Sequence, residues 1–118
     1  MTVLVVEDED DVREILAEEI SAHGLKCLQA KNGHEAIDMV LGNKVDLVIT
    51  DFRMPKLDGL EFIRKIRGDG YTMPILVMTG FTNHTMETFL RAGASEFFEK
   101  PLDIEALIER IVKLLKKN

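Results

Sequence analysis

Five short apolar runs alternate with five amphipathic stretches along the chain, and this alternation limits the fold more than any other feature. The runs are Val3–Val6, Val45–Thr50 and Pro74–Met78, with weaker ones at Lys26–Ala30 and Ser95–Phe98. Near-continuous apolar runs of this length suit strands covered on both faces. Between them apolar residues recur at helical spacing. Val12, Ile15, Leu16 and Ile20 form one stripe, and Ala36, Ile37, Val40 and Leu41 a second. Leu60, Ile63 and Ile66 form a third, and Met86, Phe89 and Leu90 a fourth. Ile104, Leu107, Ile108, Ile111, Leu114 and Leu115 form the fifth. Strand then helix, five times over, predicts an α/β domain with a parallel sheet and helices on both faces.

Local punctuation agrees with these boundaries. Asn32 with Glu35, and Asp58 with Glu61, have the spacing of capping boxes, and Thr82 and Asp103 read as N-caps. Gly24, Gly42 and Gly93 follow their helices where a left-handed residue is wanted. Lys113, Lys116 and Lys117 close the last helix, where positive charge suits the dipole.

At 118 residues the chain is expected to form one domain, residues 1–118, able to bury roughly two-thirds of its unfolded surface. Its 15 basic against 21 acidic residues give a net charge of −6, which disfavours nucleic acid as a partner. The single cysteine, Cys27, excludes an intrachain disulfide and a multi-cysteine zinc site, and reads as a small core residue. His23, His34 and His84 lie apart, without metal-ligand spacing. No apolar run approaches a membrane span, and the opening MTVLVVEDED has no basic region of a signal peptide. A cytoplasmic location is therefore expected, with no membrane partner.

Chemistry in an open parallel sheet gathers beyond the carboxyl ends of the strands. Glu7, Asp8, Glu9, Asp10 and Asp11 follow the first strand, and Asp51 ends the third. Thr79 and Gly80 end the fourth, and Lys100 and Pro101 follow the fifth. Two carboxylates about 4 Å apart repel by roughly 4 kcal/mol at an effective dielectric near 20. A divalent cation relieves this, and hard oxygen donors suit Mg²⁺. Asp51 could then attack a phosphoryl group, with Lys100 and Thr79 on its oxygens and Gly80 allowing close backbone approach. Asp10 and Asp11 have a plainer reading as first-turn acids favoured by the helix dipole. Val112, off the tidy stripe of the last helix, reads as a stray apolar residue or part of a partner face.

The motifs LVVEDE, VITDFRMPKLDGLEFI, PILVMTG and AGASEFFEKPLD together resemble the receiver domain of two-component response regulators over essentially the whole chain. The resemblance implies a flavodoxin-like doubly wound fold with strand order 2-1-3-4-5. It also implies phosphoacceptor Asp51, and Mg²⁺ held by Asp8, Asp51 and the backbone carbonyl of Arg53. Glu7 stands where the family often has Asp, so it would reach the metal directly or through water. Thr79 and Lys100 would hold phosphoryl oxygens, Phe97 would be the aromatic switch, and the Lys100–Pro101 bond would be cis. Arg53 and Phe81 occupy positions at which the family varies. Arg53 is expected to stabilise the phosphoryl charge and Phe81 to hinder the attacking water, giving a fairly long-lived acyl phosphate.

The implied partners are a sensor histidine kinase or phosphotransfer protein and an unspecified output protein or domain. The surface of the fourth helix, fifth strand and fifth helix would change on phosphorylation and meet that output or a second copy. The domain would assist its own phosphorylation without being an enzyme in its own right. Other classes fare worse. A haloacid-dehalogenase-type phosphatase needs an acid where Arg53 stands, and a flavodoxin would need a phosphate cradle where Glu7–Asp11 would repel one. No dinucleotide or P-loop glycine motif occurs. A pseudo-receiver that never takes phosphate remains as the rival.

Overall fold

The computed structural model describes residues 1–54, 57–80 and 86–116. Five strands alternate with five helices. In chain order they are β1 (Thr2–Val6), α1 (Asp10–Ala22), β2 (Lys26–Ala30), α2 (Gly33–Gly42), β3 (Leu47–Asp51), α3 (Gly59–Gly68), β4 (Ile75–Thr79), α4 (Met86–Ala92), β5 (Glu96–Glu99) and α5 (Ile104–Lys116). All strand pairs are parallel, in the order β2-β1-β3-β4-β5. This is the flavodoxin-like arrangement.

Side chains alternate across the pleat, so each central strand feeds two cores. Leu4, Val6, Val48, Ile75 and Val77 pack with Val40, Phe62, Ile63, Ile66 and Phe89 from α2, α3 and α4. Val3, Val5, Leu47, Ile49, Leu76 and Met78 pack with Leu16, Ile20, Leu107 and Ile111 from α1 and α5. That two-sided burial is why β1, β3 and β4 read as unbroken apolar runs.

Several local expectations need correction. The third strand begins at Leu47, not Val45; Val45 is buried ahead of it, and the Asp46 carboxylate accepts the Thr2 N–H at 2.8 Å. Gly42 is the last residue of α2 rather than a left-handed cap; Asn43 follows in extended backbone, its side-chain amide donating to the Met39 carbonyl. Gly24 and Gly93 do take positive φ, and so does Gly70. Ile15, Leu41, Met86 and Leu90 are exposed. In α1 the buried seam runs through Arg13, Leu16, Ala17 and Ile20, one step round the helix from Ile15. Cys27 lies on the edge strand β2 and is only half-buried. Burial nevertheless pushes its thiol up to about 11.

The Asn32, Asp58 and Asp103 carbonyl or carboxylate oxygens accept N–H groups of Glu35, Glu61 and Ala106 at 2.9, 2.9 and 3.1 Å. The Glu35 carboxylate answers to the Lys31 N–H rather than to Asn32. Thr82, His84 and Lys117 lie outside the described residues.

Gly59 sets the distance between α3 and the end of β3. Its N–H donates to the Phe52 carbonyl at 2.8 Å. A Cβ there would stand 2.6 Å from the Asp51 carbonyl oxygen and 2.9 Å from Phe52 Cα. Both obstacles are backbone, so neither yields cheaply. Gly59→Ala is expected to cost about 1–3 kcal/mol in urea denaturation, the range for overpacking a close contact.

Candidate functional site

The chain leaves β1 toward the α1/α5 face and β3 toward the α2–α4 face. Neighbouring parallel strands whose connections diverge in this way leave a crevice at their carboxyl ends. Glu7 follows β1, Asp51 ends β3, Thr79 ends β4 and Lys100 follows β5.

Carboxylate oxygens of Glu7, Asp8 and Asp51 lie within 4.8 Å of one another, the only such acid, histidine or cysteine group among the described residues. Lys100 Nζ reaches in from β5, 3.0 Å from Glu7 Oε1 and 3.3 Å from Asp51 Oδ1. Glu7 is fully buried and Asp51 is 6 % exposed, whereas Asp8 is open to solvent. The second Glu7 oxygen accepts the Glu9 N–H at 3.2 Å, so both its oxygens are engaged. The Lys100 N–H donates to the Thr79 carbonyl at 2.8 Å, and the Lys100–Pro101 peptide is cis.

Burial is the main perturbation of these groups. It pushes Glu7 up to about 7, helped by its bond to Asp8 and the Asp51 charge and opposed by Lys100. Burial also raises Asp51, against the pull of Lys100. Lys100 loses solvation as well, but its bond to Glu7 and the two carboxylate charges hold its ammonium above the ordinary value.

Thr79 adds a second sign of incompleteness. It is 2 % exposed, and its Oγ1 has no hydrogen-bond partner among the described residues. A buried hydroxyl left unpaired costs about 1–3 kcal/mol. Three clustered carboxylates with one ammonium form a hard-oxygen donor set with excess negative charge. These residues fit a small divalent cation.

Arg53 lines the same cleft as Asp8, together with Phe52, Met54 and Asp58. Phe97 is half-buried, its ring 5.3 Å from that of Phe89, which meets Phe52 edge-on at 5.2 Å. Phe81 lies outside the described residues. Asp10 turns from the cluster to Arg13 at 2.6 Å, and the Arg13 bond holds its carboxyl below the ordinary range. His23 and His34 are exposed and share no cluster with other ligand types among the described residues.

Sequence reasoning missed Arg13, which is buried behind the acidic loop. Its signal is positional: it holds the first place of the seam Arg13–Leu16–Ala17–Ile20, where an apolar residue would be expected.

The family model for the response regulator receiver domain matches residues 3–112. The chain belongs to that family. It is 39 % identical over 117 residues to the response regulator MprA of Mycobacterium tuberculosis, covering 98 % of this chain and 51 % of that protein. The receiver domain therefore spans about half the length of the curated relatives it matches. Among solved structures it resembles the Francisella response regulator 1452 receiver domain, with a TM-score of 0.93 and 25 % identity over 98 % of this chain and 97 % of that one. It also resembles the response regulator TrrA of Thermotoga maritima, solved in complex with Mg²⁺–BeF, with a TM-score of 0.86 and 34 % identity over 96 % and 97 % of the two chains. No described helix is long and apolar enough to cross a membrane.

The raised carboxyl groups give this receiver domain a pH signature. A carboxyl that binds its proton more tightly folded than unfolded makes the fold lose stability as it ionises. For Glu7 the loss is absent below its ordinary value of 4.5 and complete above about 7. The metal-free protein is thus expected to gain stability as pH falls through that window, with Asp51 contributing in the same direction. Denaturant titrations in a chelator should show it, and Glu7→Gln should flatten the slope and raise stability at the alkaline end.

Proposed function

We propose that this domain is the phosphorylation switch of a two-component system and takes a phosphoryl group on Asp51. The observation carrying the reading is the convergence of Asp51, Lys100, Thr79 and the acidic pair Glu7 and Asp8 on one crevice. An Asp51 oxygen attacks the phosphorus of a phosphohistidine, the P–N bond breaks, and the imidazole leaves. Lys100, already beside Asp51, follows the negative charge onto the phosphoryl oxygens, and the Thr79 hydroxyl, which has no partner among the described residues, donates to one of them.

Asp8, Asp51 and the Arg53 carbonyl would hold Mg²⁺, with Glu7 reaching it directly or through water. Bound there, Mg²⁺ supplies charge neutralisation for the transferring group. Arg53 stabilises the phosphoryl charge from the cleft wall, and Phe81 hinders water. With Thr79 drawn toward the anion, Phe97 shifts against Phe89, a population shift between two packings. Met86 and Leu90, exposed on α4, belong to the α4–β5–α5 surface that an output domain or a second copy would read. The domain works in the cytoplasm, beside its phosphodonor, and promotes its own phosphorylation and dephosphorylation.

A sensor kinase or phosphotransfer protein must bring its histidine to the crevice. A groove of about 310 Å³ beside Lys100 is lined by Val12, Ile15, Leu16, Leu102 and Ile104. Ile15 is 49 % exposed there and suits an apolar partner surface.

Incubation with Mg²⁺ and acetyl phosphate is expected to add one phosphoryl group by intact-protein mass spectrometry, and Asp51→Asn to abolish the gain. No gain in the parent protein would favour a pseudo-receiver. Ile15→Asp is expected to slow transfer from a phosphohistidine protein about tenfold more than transfer from acetyl phosphate, the size of one interface anchor.

A further inference from the structure

Arg13 lies on α1, five residues past Asp8 in the chain, and is 6 % exposed. A guanidinium buried this deeply must be paired to be tolerated. All three kinds of its side-chain nitrogen are engaged. Nη1 donates to the backbone carbonyl of Glu7 at 3.0 Å, Nε to Gln29 Oε1 on β2 at 3.1 Å, and Nη2 to Asp10 Oδ1 at 2.6 Å.

The bond to the Glu7 carbonyl matters for the site. That carbonyl belongs to the peptide joining Glu7 to Asp8, so holding it fixes the plane from which the Asp8 side chain departs. The same loop is tied elsewhere. The Glu7 N–H donates to Ala30, the Glu9 N–H to the Glu7 carboxylate, and the Arg13 N–H to the Glu9 carbonyl. Asp8 is exposed, as are Glu9 and Asp10 after it, so its aim depends on how its backbone is held more than on packing around it. The Asp10 pair is mostly solvent-exposed on its acidic side and adds little. Gln29 instead keeps the planar fork turned toward the carbonyl.

We propose that Arg13 is a positioning residue for divalent-cation binding: by clamping the Glu7–Asp8 peptide against β2 it aims the Asp8 carboxylate at Asp51. This rests on the reading of the crevice as a Mg²⁺ site. Arg13 touches neither cation nor phosphoryl group and acts through the loop it holds. Lysine cannot replace it, because one ammonium cannot span the Glu7 carbonyl and Gln29 in a fixed plane.

The test is a Mg²⁺ titration of the whole chain, followed by amide chemical shifts at Asp8 and Asp51. Arg13→Met keeps the apolar stem, Arg13→Lys keeps the charge, and Gln29→Met loosens the fork from β2 with less risk to folding. Thermal melts in a chelator report on the fold separately. Arg13→Met is expected to weaken Mg²⁺ binding about ten- to a hundredfold, as losses of outer-shell partners do. Arg13→Lys should recover only part of that, and Gln29→Met should show a smaller loss in the same direction. Phosphorylation by acetyl phosphate should need more Mg²⁺ to reach half its rate in these variants while approaching the parent rate at saturation.

A purely structural Arg13 would lower the melting temperature and leave the Mg²⁺ midpoint alone. Parent-like affinity in the folded variants, Gln29→Met included, overturns the inference and spares the Mg²⁺ reading. A parent chain that binds no Mg²⁺ overturns both.

Discussion

Lys100 is the cation on which the crevice depends. Its ammonium stands 3.0 Å from Glu7 and 3.3 Å from Asp51, two carboxylates the fold has withdrawn from water. Removing the lysine would leave two buried anions facing an exposed third, and breaking a buried pair commonly costs about 3–5 kcal/mol. The same contact joins the two ends of the structure, since Lys100 follows β5 and Glu7 follows β1. Strand order makes it possible: β3 and β4 stand between β1 and β5, and their carboxyl ends supply Asp51 and Thr79.

The excess of acid over base is a standing strain that a small cation or a phosphoryl group changes in opposite senses. A divalent ion lowers the repulsion among Glu7, Asp8 and Asp51. Under the proposed function a phosphoryl group on Asp51 would bring about −1.5 to −2 more charge and new acceptor oxygens, which the Lys100 ammonium and the Thr79 hydroxyl, without a partner among the described residues, would meet. A site already short of positive charge would thus respond to both ligands, as the proposed switch requires.

Much of this was legible in the sequence, for a physical reason. Strands buried on both faces announce themselves as apolar runs, so the residues just after them can be read directly as the crevice lining. Asp8, Asp51, Thr79 and Lys100 were found in that way. Contacts between distant segments leave no such trace. Nothing near Gly59 reveals that the Asp51 carbonyl lies 2.6 Å from where its Cβ would be. Arg13 escapes a reading of the sequence because a charged residue in an amphipathic helix is usually solvated, and the seam it occupies is visible only once its neighbours are known. Ile15 shows the converse: its place in the apolar stripe suggests the core, yet it turns outward beside Lys100.

The sheet also acts as a partition. The aromatic train of Phe52, Phe89 and Phe97 belongs to the compartment beneath α2, α3 and α4. Val12, Leu16, Leu102 and Ile104, which line the groove beside Lys100, belong to the compartment beneath α1 and α5. Side chains that share no neighbours change stability almost independently. If the groove receives the phosphodonor as proposed, drift on its side would retune which surface docks there while the aromatic packing across the wall stays as it was. A gene duplicate could acquire a new upstream connection by such steps without having to reinvent its internal response.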